Sequence, residues 1–369
     1  MKISTIFLTL IAFSASMNAK ATEVPIDSTL TFNGITYQLE VDSVSRQISG
    51  AAIQSLDERY RDSLTLTIPS FIPGMNIHVT QVNASAFAGM DKLQVLTLPG
   101  TVTMIHQYAC RNCTSLKTIQ FSGQQRLAMI DNNAFEGCTS LEQFPFKSPL
   151  FHVGSCAFRN SGLTSVEMDD NLTYLGDSIF AGCTRLTDIS FPAELTHVSD
   201  GILKGCTSLK TVDLSSTKVN WLGSQAFQGC TSLTTVLLPS TLTSVGSKAF
   251  ADCNKIQEIT SLAEIAPWCP SDAFSKDVFD NAKLLYPTGA SGYTNQYTGW
   301  GNFKNQGSLS SIDGIDDEST PADAIDFTQP YEIYNLAGQR LNFLPSTPTL
   351  LIIRQGNQAK KLILDSQSL

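Results

Sequence analysis

The chain is 369 residues long, with 42% hydrophobic and only 15% charged residues, a composition that supports a large buried core and excludes an intrinsically disordered chain. Its 24 Lys and Arg against 33 Asp and Glu leave a formal net charge of −9, which argues against a binder of the nucleic-acid backbone, where clustered basic side chains displace counterions. Four histidines, His78, His106, His152 and His197, leave little material for imidazole-based metal or acid–base chemistry.

At the amino terminus, Lys2 precedes an apolar run from Ile3 to Phe13 and the segment Ala19-Lys20-Ala21. A charged start, a short apolar stretch and an A-x-A end are the three parts of a signal peptide, with cleavage expected after Ala21. The run is shorter than the ~20 residues that span a bilayer, and no later stretch reads as a transmembrane segment. No cysteine follows the cleavage point to take a lipid. These features lead us to expect an exported protein, secreted or held at a cell surface by something other than a helix of its own.

Self-similarity begins near residue 82. The unit reads apolar-x-x-x-Ala-Phe-x-Gly-Cys-x-x-Leu-x-x-apolar-x-apolar, and its Phe slot is filled by Phe87, Cys110, Phe135, Phe158, Phe180, Leu203, Phe227 and Phe250. Successive spacings of 23, 25, 23, 22, 23, 24 and 23 residues define eight units of 22–25 residues over 82–260, the signature of a leucine-rich repeat solenoid. One unit cannot bury its own apolar face, so stacking neighbours makes the core. Within a unit, Leu-x-x-Ile-x-Leu alternates and predicts a strand, the Ala-Phe-x-Gly-Cys segment predicts a short helical turn ended by its glycine, and a second short extended stretch closes the unit. The expected fold is therefore a β-rich repeat solenoid with short helical turns, two parallel ladders and β caps.

Six of the nine cysteines, Cys113, Cys138, Cys183, Cys206, Cys230 and Cys253, share one repeat position, which predicts an interior column of thiols rather than disulfides or a metal site. Cys110 and Cys113 have redox-motif spacing, but Cys110 simply fills a Phe slot. Two outward columns follow from the repeat. The first holds Thr97, Gln120, Pro145, Glu167, Ser190, Asp213 and Leu237 and is mostly small and polar. The second holds Met104, Met129, His152, Tyr174, His197, Trp221 and Ser244. Its first six members form the candidate ligand-binding stripe, ~29 Å long at ~4.8 Å per rung, because methionine and aromatic side chains bring large contact area at modest entropic cost. Mutual packing on a tolerant surface is the alternative reading. Protonation of His152 and His197 near the histidine reference value of about 6.5 would make such binding pH-dependent.

Residues 308–330, with Asp313, Asp316, Asp317 and Glu318, read as an acidic linker that lacks the full spacing of a calcium loop. Beyond it, residues 331–341 form a candidate strand pair punctuated at Gly338, and Leu350 to Arg354 and Lys360 to Leu364 are two further candidate strands, together a small all-β carboxy-terminal domain over 331–369.

The repeat resembles that of BspA-like leucine-rich repeat surface proteins of Bacteroidetes, whose unit carries the same I-x-x-x-A-F-x-G-C-x-S-L pattern. The resemblance extends to residues 22–81 as an N-terminal β cap, through Phe32 to Tyr37 and Leu66-Thr67-Ile68-Pro69, and to 261–307 as a terminal cap containing Tyr297, Trp300 and Phe303. It implies an exported binding protein with an adhesin-type role. Residues 331–369 resemble the carboxy-terminal sorting domain of the type IX secretion route through Tyr334-Asn335-Leu336 and Ile352-Ile353-Arg354-Gln355-Gly356-Asn357, and so imply engagement of that secretion machinery. They depart from it in having Pro348-Thr349-Leu350-Leu351 before the paired isoleucines. At the stripe position, repeats of this family mostly carry Ser or Thr, so the Met and aromatic series here is a departure.

No G-x-S-x-G elbow, H-E-x-x-H or phosphate-binding glycine loop is present, four-cysteine zinc spacing is absent, and carboxylates are scattered rather than paired. The expected function is non-enzymatic and cofactor-free recognition of a host or bacterial surface or extracellular-matrix protein. A glycan-binding module for nutrient capture and a purely architectural spacer are the competing readings.

Overall fold

The computed structural model describes residues 28–45, 47–147 and 149–309, together with four strands between Glu332 and Leu364. The expected signal peptide lies outside the described residues, as does the linker from residue 310 onward. The chain divides into two units, Met1–Leu141 with Ser148–Leu150, and Glu142–Lys147 with Phe151–Leu369.

The first unit opens with an antiparallel sheet of strands Thr29–Phe32, Ile35–Val41 and Ile48–Leu56. Asn33 and Gly34, at φ 47° and 77°, make the tight turn between the first two strands, the left-handed pair that a two-residue hairpin requires. Period-two alternation puts Ile35, Tyr37 and Leu39 inside. The third strand then pairs in parallel with Val79–Val82, which passes the sheet on to Met104–Ile105 and Met129–Ile130. A second parallel ladder runs through Thr65–Thr67, Val95–Pro99 and Thr118–Ser122. Rungs therefore begin at Thr65, ahead of the first copy legible as a repeat.

In the second unit the long-strand ladder runs from Ser165–Glu167 to Asp188–Ser190, and again through Thr211–Asp213, Thr235–Leu238, Glu258–Ser261, Lys283–Tyr286 and Asn305–Ser308. The short-strand ladder pairs His152–Val153 with Tyr174–Leu175, and His197–Val198 with Trp221–Leu222 and Ser244–Val245. Phe144 and Phe146 flank Pro145 and bury their rings 4.9 and 5.0 Å from Phe158; proline has no amide to donate, and no strand forms there. Further along, Phe227, Phe250 and Phe274 stack face to face at 5.0 and 4.9 Å. Each such buried phenylalanine contributes roughly 1.5–3 kcal/mol. The repeat continues past residue 260: Phe274 takes the next Phe slot, ahead of the helix Lys276–Asn281, and Phe303 and Trp300 close that end.

The Ala-Phe-x-Gly-Cys segments, expected as short helical turns, are successive tight turns instead. Only alternate amides bond within the segment, as Ala86 to Asn83, Ala88 to Ser85 and Met90 to Phe87. The intervening amides of Ser85, Phe87 and Gly89 donate to Gln107, Ala109 and Arg111 of the next rung, at 3.2, 2.8 and 2.8 Å. A helix would keep every amide for itself, whereas this coil commits half of them to its neighbour. The geometry demands a left-handed residue two places before each of the eight Phe slots from Phe87 to Phe250, at Ser85, Tyr108, Asn133, Cys156, Ser178, Gly201, Gln225 and Lys248. A second one stands two places after it, filled by glycine in five rungs and by Asn112, Asn160 and Asp252 in the others.

All six repeat-position cysteines are buried and all nine are free. Each of the six thiols donates to the carbonyl of the preceding rung's Phe slot: Cys113 to Phe87 and Cys138 to Cys110 at 3.1 Å, Cys183 to Phe158, Cys206 to Phe180 and Cys230 to Leu203 at 3.2 Å, and Cys253 to Phe227 at 3.0 Å. Burial pushes the Cys183 thiol up to about 11 and also raises Cys110, Cys138 and Cys206 well above the ordinary thiol value. Cys113 goes the other way, pulled down to about 4 by the side-chain hydrogen bonds of Cys110 and Cys138, so the column is a row of inter-rung sulfur contacts and not a set of uniformly raised thiols.

The carboxy-terminal strands Glu332–Tyr334, Arg340–Leu341, Thr349–Gln355 and Gln358–Leu364 form one antiparallel four-stranded sheet.

Candidate functional site

The stripe is built by two-residue strands. In each, the second residue is an apolar side chain driven into the core: Ile105, Ile130, Val153, Leu175, Val198, Leu222 and Val245 are at most 1% exposed. Strand alternation then turns the first residue of each pair outward. In the first unit this places Met104 and Met129 in register, both half-buried, with Gln81 before them. Gln81 is itself engaged, its carboxamide oxygen 2.6 Å from Nε2 of His106.

In the second unit His152 and Tyr174 are in register, with rings stacked at 4.4 Å and 2°. Parallel rings on neighbouring strands stabilise each other and leave their outer edges to solvent. His197, Trp221 and Ser244 are in register in turn, and a bridge from Ser244 to Trp268 adds one more rung. Trp268, absent from the sequence reading, is 60% exposed, against 46% for Tyr174 and 38% for Trp221. Large exposed aromatics thus stand on alternate rungs, at ~9.6 Å intervals, with the smaller His197 and Ser244 between them.

The borders of this stripe are polar and built from the coil's own hydrogen bonds. Along one edge the hydroxyls of Thr173 and Thr243 donate to the carbonyls of Phe151 and Asn220, one rung back. Along the other, a carboxylate oxygen of Asp177 accepts the amide of Asp200 at 3.2 Å, and Asp200 accepts that of Ser224 at 2.7 Å. Two carboxylates therefore stand at this edge, on the rungs of Tyr174 and His197.

The other outward column is exposed at Gln120, Glu167 and Ser190 and half-buried at Thr97, Pro145 and Asp213. Leu237 departs from the expectation of an open polar column, since it is fully buried. Charges on this side are paired, Lys147 with Glu167 and Asp169 at 3.3 and 3.6 Å and Arg185 with Glu142 at 2.9 Å. A shallow depression lined by Lys283, Lys304, Asn305 and Gln306 carries no nucleophile beside a base, and Lys304 is paired with Asp280 at 2.8 Å. Among the described residues no group of three or more His, Cys, Asp or Glu side chains could hold a metal ion, and no helix is long and apolar enough to cross a membrane.

A family model described as a BspA type leucine rich repeat region matches residues 70–183 and 151–281 in six copies, more than half of the chain. Among solved structures, a leucine-rich repeat protein from Bacteroides ovatus is 20% identical, with a TM-score of 0.55 over 77% of this chain and 77% of its own. A leucine rich cell surface protein from Faecalibacterium prausnitzii is 18% identical, with a TM-score of 0.51 over 79% of this chain and 97% of its own. At such identities the likeness is one of fold. No curated protein matches the chain.

Proposed function

The chain belongs to the BspA-type leucine-rich repeat family, and on that premise we propose that it is an exported, non-enzymatic recognition protein that binds a protein ligand along its short-strand ladder. The observation that carries this reading is the exposure of Tyr174, Trp221 and Trp268 on alternate rungs of one unit. Three large aromatics held outward on a hydrogen-bonded scaffold lose little entropy on binding, and aromatic anchors of this kind dominate recognition surfaces. His152, His197, Met104 and Met129 extend the contact row within their own units. The flanking carboxylates of Asp177 and Asp200 favour a ligand with basic side chains at its rim.

Export rests on the amino-terminal leader, and display or release rests on residues 331–369 acting as a type IX sorting domain. Four antiparallel strands in that region support such a compact recognition unit. An adhesin-type role toward host or bacterial surface and matrix proteins follows from this placement.

A second reading is favoured by Trp268 itself. With three planar aromatics rather than two, the row also suits stacking against the rings of an extended glycan. A panel of immobilised surface and matrix proteins, run beside a glycan array with the same full-length chain, distinguishes the two. Replacing Tyr174, Trp221 and Trp268 together with Ser abolishes binding on whichever panel is positive. Unchanged affinity with an intact circular-dichroism spectrum would remove the stripe from the function.

A further inference from the structure

The outward face of the long-strand ladder changes character along the second unit. Glu167 and Ser190 are exposed and Asp213 is half-buried, whereas Leu237, Thr260 and Leu285, in register at the same outward position of three successive rungs, are each 0% exposed. Their neighbours Val236, Ile259 and Leu284 fill the core from the opposite side of the same strands. Burial of the outward three therefore requires another part of the chain to lie over this face of the sheet. The hydroxyl oxygen of Thr260 is enclosed under that cover and has no hydrogen-bond partner among the described residues.

Because this burial arises within one chain, no partner molecule is needed to explain it. The carboxy-terminal sheet has matching character: Ile333 and Leu351 are 9% and 0% exposed, and a lone four-stranded sheet has no second layer of its own to enclose them. That sheet belongs to the same contact unit as the ladder, whereas the amino-terminal segment belongs to the other unit. Its tether also starts in the right place. The last ladder strand ends at Ser308, and the residues from there to Glu332 span up to roughly 75 Å when extended, against the ~14 Å that separates the final rung from that of Leu237.

We propose that the carboxy-terminal sheet packs on the outward ladder face at Leu237, Thr260 and Leu285, covering it in the full-length chain and exposing it once the tail is removed. The tail is then a cover for a second, apolar binding face as well as a candidate sorting element. This inference does not depend on the aromatic stripe, which lies on the other ladder.

Amine cross-linking of the full-length chain, read by mass spectrometry on the monomer fraction, tests it. Lys283, exposed beside Leu284 and Leu285, links to Lys360 or Lys361. The double variant Leu237→Asp with Leu285→Asp lowers that yield at least fivefold while the circular-dichroism spectrum is unchanged. Should the double variant fail to fold, Thr260→Lys gives the same readout. Tail lysines linked instead to Lys92 or Lys117, links found only between two copies, or a yield that both variants leave intact would overturn the proposal.

Discussion

The thiol of Cys206 donates to the backbone carbonyl of Phe180, 3.2 Å away in the preceding rung. That carbonyl already accepts the amide of Cys183 at 3.0 Å, so the thiol takes its second lone pair. Loss of the sulfur orphans no group and leaves mainly a small void. Cys206→Ala is expected to cost about 1–2 kcal/mol in urea denaturation. Cys206→Ser should cost less, since Ser161 already occupies the equivalent slot of another rung and sits 3.2 Å from Cys183. Valine, which adds a methyl between rungs ~4.8 Å apart, should cost about 1–3 kcal/mol through overpacking.

The same burial fixes thiol reactivity. Cys156 is half-buried and the other eight cysteines are buried. The nucleophile is the thiolate, which burial disfavours at Cys138, Cys183 and Cys206, while Cys113, held low at about 4, is kept from the reagent by its complete burial. Titration of the folded protein with an aromatic disulfide reagent at neutral pH should therefore show one fast equivalent, removed by Cys156→Ser, and nine after denaturation. Several fast equivalents in the native protein would mean that the coil opens between rungs.

Buried acids that ionise only with difficulty also set an alkaline limit. Burial pushes the Cys183 thiol from an ordinary 9.0 to about 11, and the hydroxyls of Tyr37 and Tyr293 from 10.0 to about 12. Below pH 9 folded and unfolded chains both hold these protons, and stability does not respond. Between pH 9 and 11 the unfolded thiol loses its proton first, so stability falls as pH rises, and the tyrosines add to the fall between 10 and 12. Each group contributes at most about 1.4 kcal/mol per pH unit. Urea midpoints at pH 8, 9.5 and 11 measure this. Tyr293→Phe should flatten the fall above pH 10, yet lower stability at pH 8 by about 1–3 kcal/mol, because the Ser261 hydroxyl and the Ala263 carbonyl lose their partner at 2.7 and 2.9 Å.

The left-handed position two residues before each Phe slot holds exposed Lys248 at φ 56°. A side chain in that region costs about 1–2 kcal/mol, partly offset on substitution by the greater unfolded-state freedom of glycine. Lys248→Gly should therefore stabilise the protein by about 0.5–1 kcal/mol. Gly182→Ala should do the reverse by at least as much, since a Cβ there is strained at φ 74° and runs into the side-chain amide oxygen of Asn160. Thermal melts of the two variants moving in opposite directions would establish the backbone geometry.

These two left-handed positions show where the sequence is legible. The one after the Phe slot is signalled by glycine in five rungs, whereas the one before it carries Ser, Tyr, Asn, Cys, Gln and Lys as well as Gly, because pairing with the next rung, not local preference, imposes it. The Phe period and the cysteine column were readable because burial restricts residue type at every turn. Trp268 escaped because its buried strand partner is Cys269 rather than the usual aliphatic residue. Its signal was present nonetheless, in spacings of 24 residues from both Ser244 to Trp268 and Phe250 to Phe274. The burial of Leu237 was unreadable as long as the column was judged by its polar members. A leucine at an outward strand position, repeated at Leu285, was the hint that something covers it.

The aromatic row makes a final prediction about the character of binding. Trp268 is 60% and Trp221 38% exposed, with no hydrogen bond linking either side chain to the core among the described contacts. Replacing Trp268 with Ser should therefore change stability by no more than about 0.5 kcal/mol, and replacing the more covered Trp221 should cost about 1–2 kcal/mol. If they anchor the ligand, each replacement should weaken binding at least tenfold, which is about 1.4 kcal/mol or more, whereas Gln120→Ser on the other ladder should have no effect. Contacts made by burying indole surface are insensitive to screening, while pairs between exposed charges weaken beyond the ~8 Å Debye length of physiological salt. Affinity should accordingly fall less than about threefold between 0.05 and 0.5 M salt, with the residual dependence removed by replacing Asp177 and Asp200 with Asn. A steeper salt dependence, with the tryptophan variants binding normally, would transfer the recognition role from the aromatic row to its acidic border.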